Sequence, residues 1–349
     1  MRVIEIEGLS RPSAIFIGER VENLARHLPP GRAVIVTDAN LLRLHREALP
    51  PVPVLSIGCG EAVKTLETVK DLYEALADLS VDRSTFLIGV GGGVVCDVAG
   101  FVASTYLRGL RFGYVATTLL AQVDASVGGK NGVNLEGYKN LVGCFNQPEF
   151  VLCDLSLLET LPQAEVANGM AEIVKHALIA DASLFAFLEE RVEEALALDP
   201  ETIERLVGDS VAIKAGVVAR DERESGERRK LNFGHTFGHA IEKASGLSHG
   251  EAVSAGMAIA CRLSVRRGRL SAAAYERVIG LLRRLRLPVA AAADPGRVID
   301  ALRRDKKRKA DRIHFVLLDE IGRAAVEEIE IRELERHTTE LAEVLRPGP

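Results

Sequence analysis

The chain of 349 residues contains no apolar run long enough to span a bilayer, so nothing in it reads as a membrane helix. Its five cysteines, Cys59, Cys96, Cys144, Cys153 and Cys261, are odd in number, scattered, and never spaced as C-x-x-C. That pattern argues against a disulfide framework or a cysteine-built zinc site, and for reduced, mostly buried thiols in a cytoplasmic protein. An excess of basic charge is also missing. The formal net charge is −5, which gives no reason to expect a nucleic acid partner. The opening residues, Met1-Arg2-Val3-Ile4-Glu5-Ile6, alternate polar and apolar like a strand and lack the apolar stretch of a signal peptide. No internal repeat is visible, and the G-x-G-x-x-G dinucleotide fingerprint is absent. What remains is ordinary globular composition, 47% hydrophobic and 27% charged, at a length that suggests two domains.

The first half alternates β-branched runs with helical periodicity. Ala33–Thr37, Val52–Ile57, Ser84–Val90 and Phe112–Ala116 read as strands, the second nearer an edge because of Pro53. Between them, Leu66, Val69, Leu72, Tyr73, Leu76 and Leu79 form one stripe of a helix over about 65–79. Such alternation predicts a parallel sheet covered on both faces, with ligands at the carboxyl ends of its strands. Gly91-Gly92-Gly93 lies at one such end and leads into a helical segment containing Asp97. Glycines there let a backbone approach a diphosphate, and the following helix offers unpaired N–H groups. Asp38 ends an earlier strand, where an acid can hold ribose hydroxyls, and Gly60–Lys64 and Thr117-Thr118 close the same edge. From Gln122 to Gly143 the chain is polar, with Lys130, Lys139, Asn131, Asn134, Asn140 and paired glycines, and reads as one anion-binding loop.

Beyond Asp154 helical periodicity takes over, with segments near 164–179, 183–197, 201–221, 234–245, 252–267, 272–285 and 295–304. Residues 313–318 are strand-like, and the preceding basic stretch reads mainly as solvated loop. The domain boundary is expected near Leu155–Pro162, giving 1–158 and 159–349. Within the second half, His235, His239 and His249 fall inside fifteen residues. A lone histidine is more often a satisfied core residue, but a cluster flanked by Gly234, Gly238 and Gly250 points to a metal. His235 and His239 at i and i+4 share a helix face, the spacing by which two imidazoles reach one cation. Glu172 is the most attractive carboxylate, and His176, four residues on, is a rival ligand. Spacing alone leaves open which histidines bind.

Together these motifs resemble the dehydroquinate synthase family, along nearly the whole chain. The residues that carry the resemblance are Gly91-Gly92-Gly93 with Asp97, Tyr106-Leu107-Arg108-Gly109, Thr117 to Asp124, Gly128-Gly129-Lys130, and Lys139-Asn140. In the second half they are Gly169-Met170-Ala171-Glu172, Asn232-Phe233-Gly234-His235 with His239, and His249-Gly250-Glu251. The resemblance implies an α/β parallel-sheet NAD-binding domain, a mostly α-helical metal-binding domain, and an active site in the cleft between them. It assigns Zn²⁺ or Co²⁺ to Glu172, His235 and His249, which makes His239 a substrate-side residue. It matches Asp38, Asn40, Glu61, Lys64, Gly92, Gly93, Asp97, Thr117, Thr118, Asp124, Lys130, Lys139, Thr160, Leu161 and Glu165 to NAD-lining positions. It matches Asp124, Lys130, Asn140, Lys175, Lys214, Arg228, Asn232, His239 and Lys306 to substrate positions, with Arg108 reaching across a homodimer.

The implied reaction is a closed redox loop on a sugar phosphate, 3-deoxy-arabino-heptulosonate 7-phosphate: oxidation by NAD, loss of phosphate, reduction, ring opening and aldol closure to 3-dehydroquinate. The alternatives are a sister cyclase forming a valiolone or scyllo-inosose, and a metal-dependent polyol dehydrogenase of the same fold. Two departures from the family pattern stand out. The segment Ala244–Ser248 before His249 is short, and Tyr138 stands where glycine is common before the lysine.

Overall fold

In the computed structural model, which describes residues 1–7, 11–303, 308–309 and 312–340, the β-branched runs become strands of one sheet. The strands of the first half are β1 (Arg2–Ile6), β2 (Ser13–Ile17), β3 (Ala33–Asp38), β4 (Val54–Ile57), β5 (Phe86–Gly91), β6 (Arg111–Ala116), β7 (Lys130–Leu135), β8 (Tyr138–Phe145) and β9 (Phe150–Cys153). The helices there are α1 (Ala39–His45), α2 (Leu66–Asp78) and α3 (Gly93–Thr105). Seven strands pair in the order β1-β2-β9-β6-β5-β3-β4, parallel except for the β1–β2 pair. Every residue of β5 is buried, as a central parallel strand covered on both faces requires. The Pro-marked β4 is an edge. Helix α2 buries Val69, Leu72 and Leu76, and Thr65 caps it by accepting from the Thr68 N–H at 3.2 Å.

The remaining elements are helices α4 (Gln163–Ala180), α5 (Ala182–Glu190), α6 (Val192–Leu196), α7 (Pro200–Arg220), α8 (His235–Ser245), α9 (His249–Arg266), α10 (Ala272–Arg284), α11 (Pro295–Arg303) and α12 (Ile331–Glu340). With them comes a small antiparallel sheet of β10 (Arg308–Lys309), β11 (Arg312–Glu320) and β12 (Arg323–Glu330). The chain divides into two units, Met1–Glu165 with Ile203–Arg223, and Val166–Thr202 with Glu224–Pro349. This differs from a single cut at 158/159, because α7 belongs with the large sheet. Its polar ties explain that: Arg2 reaches Asp209 at 2.8 Å, and Lys214 holds Asp124 at 2.6 Å.

The stretch expected as one anion-binding loop is instead largely the β7–β8 hairpin, pairing Val133 with Val142 and Leu135 with Tyr138. Glu136 (φ 49°) and Gly137 (φ 76°) form its two-residue turn, and positive φ at both positions suits the right-handed twist of the strands. Asparagine, glycine and lysine are poor strand formers, which hid the pairing in the sequence.

In the second unit, α8 and α9 run close together over glycines. A Cβ at Gly256 would lie 2.0 Å from the Gly234 carbonyl oxygen, and one at Gly238 only 3.1 Å from the Val253 Cα. The link between the two helices is short: Gly246 ends α8 with φ 75°, and Ser248 opens α9 in a reciprocal capping box with Glu251. The short segment before His249 therefore places that residue at the first position of α9.

Candidate active-site halves

The first unit gathers the residues expected to line a nucleotide. Strand β5 runs out at Gly91, and Gly92 precedes α3 without a capping side-chain hydrogen bond. A Cβ on Gly92 would meet Thr118 Cγ2 at 3.0 Å, and one on Gly93 would meet Ala125 Cβ at 3.1 Å. A side chain at either position would crowd this turn. Next to it Lys64 is buried and ion-paired with Asp97. Burial raises the Asp97 carboxyl above its ordinary range although the Lys64 ammonium opposes it. Thr117 joins the edge by donating its N–H to the Gly91 carbonyl at 3.0 Å.

Asp38 ends β3, and one of its oxygens is committed to capping α1 through the Leu41 N–H at 2.9 Å. Asn40 lies exposed in that first turn. The hairpin tip rests on the same edge: the Asn134 N–H donates to the Lys64 carbonyl at 2.8 Å, and the Asn134 side chain donates to Glu61 at 2.8 Å. Lys139 stands 4.0 Å from Glu61, and the Asn140 N–H donates to Asn134 Oδ1 at 2.9 Å. Lys130 sits at the other end of the hairpin, opposite Phe145, so the two lysines read as one cluster are separated by the length of the strands. Thr160 is hydrogen-bonded to His45 at 3.0 Å, and Leu161 and Glu165 follow it. Asp124 lies in a π-helical turn, Ala121–Ala125, a distortion common at functional sites, and receives two hydrogen bonds from Lys214, at 2.5 and 2.6 Å.

The second unit assembles a set of donors around one carboxylate. Glu172 on α4 is fully buried, and its Oε2 is ion-paired with Lys175 one turn along. The other oxygen, Oε1, has no hydrogen-bond partner among the described residues. It faces His235 Nε2 at 3.6 Å and His249 Nε2 at 3.4 Å. One donor atom from each of the three residues lies within 4.8 Å of the others. A buried carboxylate oxygen opposed by two imidazole nitrogens is a donor set that suits a tetrahedral divalent ion with a position left for a further ligand. Burial works to raise the Glu172 carboxyl, but the Lys175 ammonium and the two imidazoles outweigh it and hold it well below its usual range. Burial likewise pulls His249 down, yet Glu172 and Glu242 bring it up to about 9.

The i, i+4 pair of the sequence is thus not the pair that converges on Glu172. His239 is exposed, its ring 5.3 Å from that of His235 and 6.3 Å from that of His249. His176, the rival ligand, is buried on α4. Arg228 is buried in the same unit, and Asn232 donates to Glu224. Arg108 is exposed with φ 67°, directly after Leu107 at φ 51°. Lys306 lies outside the described residues. Sequence reasoning missed Glu224, Glu242 and Asn168. Glu224 and Glu242 lie within eight residues of named positions, but only the folded chain shows what they face.

Two family models match the chain, one on each side of 168/169. Residues 54–168 match the family model described as 3-dehydroquinate synthase N-terminal, and residues 169–308 match 3-dehydroquinate synthase C-terminal. A 3-dehydroquinate synthase of Halorhodospira halophila is 45% identical over 337 residues, covering 93% of this chain and 95% of the relative. Among solved structures, the 2-epi-5-epi-valiolone synthase of Streptomyces hygroscopicus subsp. jinggangensis, with NAD⁺ and Zn²⁺ bound, superposes with TM-score 0.88 at 31% identity. It covers 98% of this chain and 99% of that one. A 2-deoxy-scyllo-inosose synthase complexed with carbaglucose-6-phosphate, NAD⁺ and Co²⁺ gives TM-score 0.88 at 28% identity, covering 97% and 100%.

Proposed function

The chain belongs to the 3-dehydroquinate synthase family, and from that premise we propose that it converts 3-deoxy-arabino-heptulosonate 7-phosphate to 3-dehydroquinate and inorganic phosphate. The observation that carries the reading is Glu172 Oε1, buried without a hydrogen bond among the described residues and faced by the Nε2 atoms of His235 and His249. Glu172, His235 and His249 would hold a Zn²⁺ or Co²⁺ ion, which would supply Lewis acidity toward a substrate hydroxyl, and NAD would supply reversible hydride acceptance without net consumption.

The chain's own residues do the rest. Lys175 keeps Glu172 ionised inside the protein, ready to ligate a cation. The amides after Gly92 and Gly93 take the pyrophosphate of the cofactor, while Asp38, Asn40, Asp97, Thr117 and Thr118 hold the nucleoside portions. Glu61, Lys64 and Lys139 close over it from the hairpin side, and Thr160 and Leu161, before α4, and Glu165, in its first turn, border it. Lys214, aimed by Asp124, orients the departing phosphate, and Lys130 and Asn140 are substrate contacts from opposite ends of the hairpin. Arg228, Asn232 and His239 recognise the carboxylate end of the substrate, and Lys306 joins the anion-binding set. A heptulosonate carries two anionic groups, which is why two separate donor sets make sense.

The proposal includes a homodimer in which Arg108 of one protomer reaches the site of its partner. Two successive non-glycine residues at positive φ, Leu107 and Arg108, are the supporting feature, since such strain persists where a side chain must be aimed. Mixing inactive Arg108→Ala protein with inactive His235→Ala protein should restore part of the activity; no recovery counts against the shared site. No helix among the described residues is long and apolar enough to cross a membrane, and a cytoplasmic location completes the reading. The deciding experiment measures phosphate release with catalytic NAD from the heptulosonate phosphate, sedoheptulose 7-phosphate and glucose 6-phosphate. Fastest turnover is expected with the first. Faster turnover of either other sugar would move the chain to a sister cyclase.

A further inference from the structure

His249 opens α9 directly after a short link. Two groups outside the donor set converge on it. Asn168 lies four residues before Glu172 on α4, on the same face of that helix, and is buried. Its Oδ1 accepts the Gly250 N–H at 3.0 Å, the amide that directly follows His249. The approach is close: a Cβ at Gly250 would stand 2.4 Å from the Asn168 Cα and 2.8 Å from its carbonyl oxygen. The start of α9 is thereby tied to the helix that carries Glu172. Glu242 lies on α8 seven residues after His235, two turns along the same face. Its Oε2 stands 3.9 Å from His249 Nδ1, an ion-pair distance, while Nε2 faces Glu172 at 3.4 Å.

We propose that Asn168 and Glu242 are positioning residues for His249, the first fixing its backbone against α4 and the second engaging Nδ1 so that Nε2 is the nitrogen offered to the metal. His235 has the matching arrangement by a different device, its Nδ1 lying 3.1 Å from the Phe233 carbonyl oxygen. Outer groups of this kind set the tautomer and direction of an imidazole ligand, and losing one typically costs about 10–100-fold in metal affinity. The inference rests on the metal reading above and adds the residues that give the centre its shape.

The test uses the full-length protein stripped of metal and reloaded with Co²⁺. It reads affinity by competition with a chromophoric chelator and geometry by the visible d–d spectrum, with circular dichroism as a check on folding. Glu242→Ala and Asn168→Ala should each weaken Co²⁺ binding by about 10–100-fold and alter the d–d bands. Glu242→Gln and Asn168→Asp, which retain an acceptor, should recover most of both. Because Asn168→Ala also strips an acceptor from a buried amide, the Asn168→Asp and Glu242 variants keep the test decisive if it folds poorly. Variants that bind Co²⁺ with wild-type affinity and spectrum, even at a lowered melting temperature, would overturn the positioning role while leaving the metal reading intact. A wild-type chain that binds no Co²⁺, with His235→Ala and His249→Ala indistinguishable from it, would overturn both.

Discussion

At the scale of single residues, Glu172 is where opposing effects are largest. Burial disfavours its charge, and the fold retains that charge only by surrounding it with Lys175, His235 and His249. Glu172→Gln takes the carboxylate away from a buried ammonium, which should cost the metal-free protein about 3–5 kcal/mol and abolish metal retention. Thermal melts and elemental analysis check the two effects separately. The same groups set a pH dependence for the metal-free chain. The folded Glu172 carboxyl lies below its ordinary value of 4.5, so its contribution is present above that pH and lost on acidification. His249 is raised from 6.5 to about 9, so its contribution is full below 6.5 and fades as pH climbs through 9. The melting temperature of metal-free protein should therefore fall between pH 6.5 and 9. Loading with Zn²⁺, which takes neutral imidazole, should remove that decline. Parallel melting curves for both forms over that interval would contradict the assignment.

Among elements, the α8–α9 pair matters most, because its close approach decides which histidines meet. Gly256→Ala would drive a methyl group into the Gly234 carbonyl, and backbone cannot yield as a side chain can. Separating the helices should cost about 1–3 kcal/mol and move His235 away from His249. The expected result is a lowered melting temperature together with weakened Co²⁺ binding. Gly280→Ala is the control, since nothing lies within 4 Å of a Cβ there; it should be neutral or slightly stabilising.

For the whole molecule, the family's reaction needs both a metal and a nucleotide, and the proposed function takes the donors for one from each unit. Chelation should stop phosphate release, and added Zn²⁺ or Co²⁺ should restore it. Catalytic NAD should support many turnovers with no build-up of NADH absorbance. Steady NADH accumulation with a simple diol, and no carbocyclic product, would identify a polyol dehydrogenase on the same fold.

Local chemistry carries much of this in the sequence. Short apolar runs such as Phe86–Val90, bounded by turn signals, read as buried strands, and the stripe Val69, Leu72, Leu76 reads as one face of a helix. The glycines after β5 and the residue types around Glu172 and the three histidines are equally legible, since their chemistry belongs to the residues themselves. Tertiary structure decided the rest. A spacing of i, i+4 states that His235 and His239 share a face of one helix, but not what a second helix brings to that face. The family resemblance named His249 over His239, and the glycine-lined contact of α8 with α9, with the Asn168 tie from α4, is the packing that sets His249 against Glu172. The place of α7 with the large sheet, and the β7–β8 hairpin inside an apparent loop, likewise depend on partners distant in the chain. Such contacts are set by packing between elements, and no local pattern of residues encodes them.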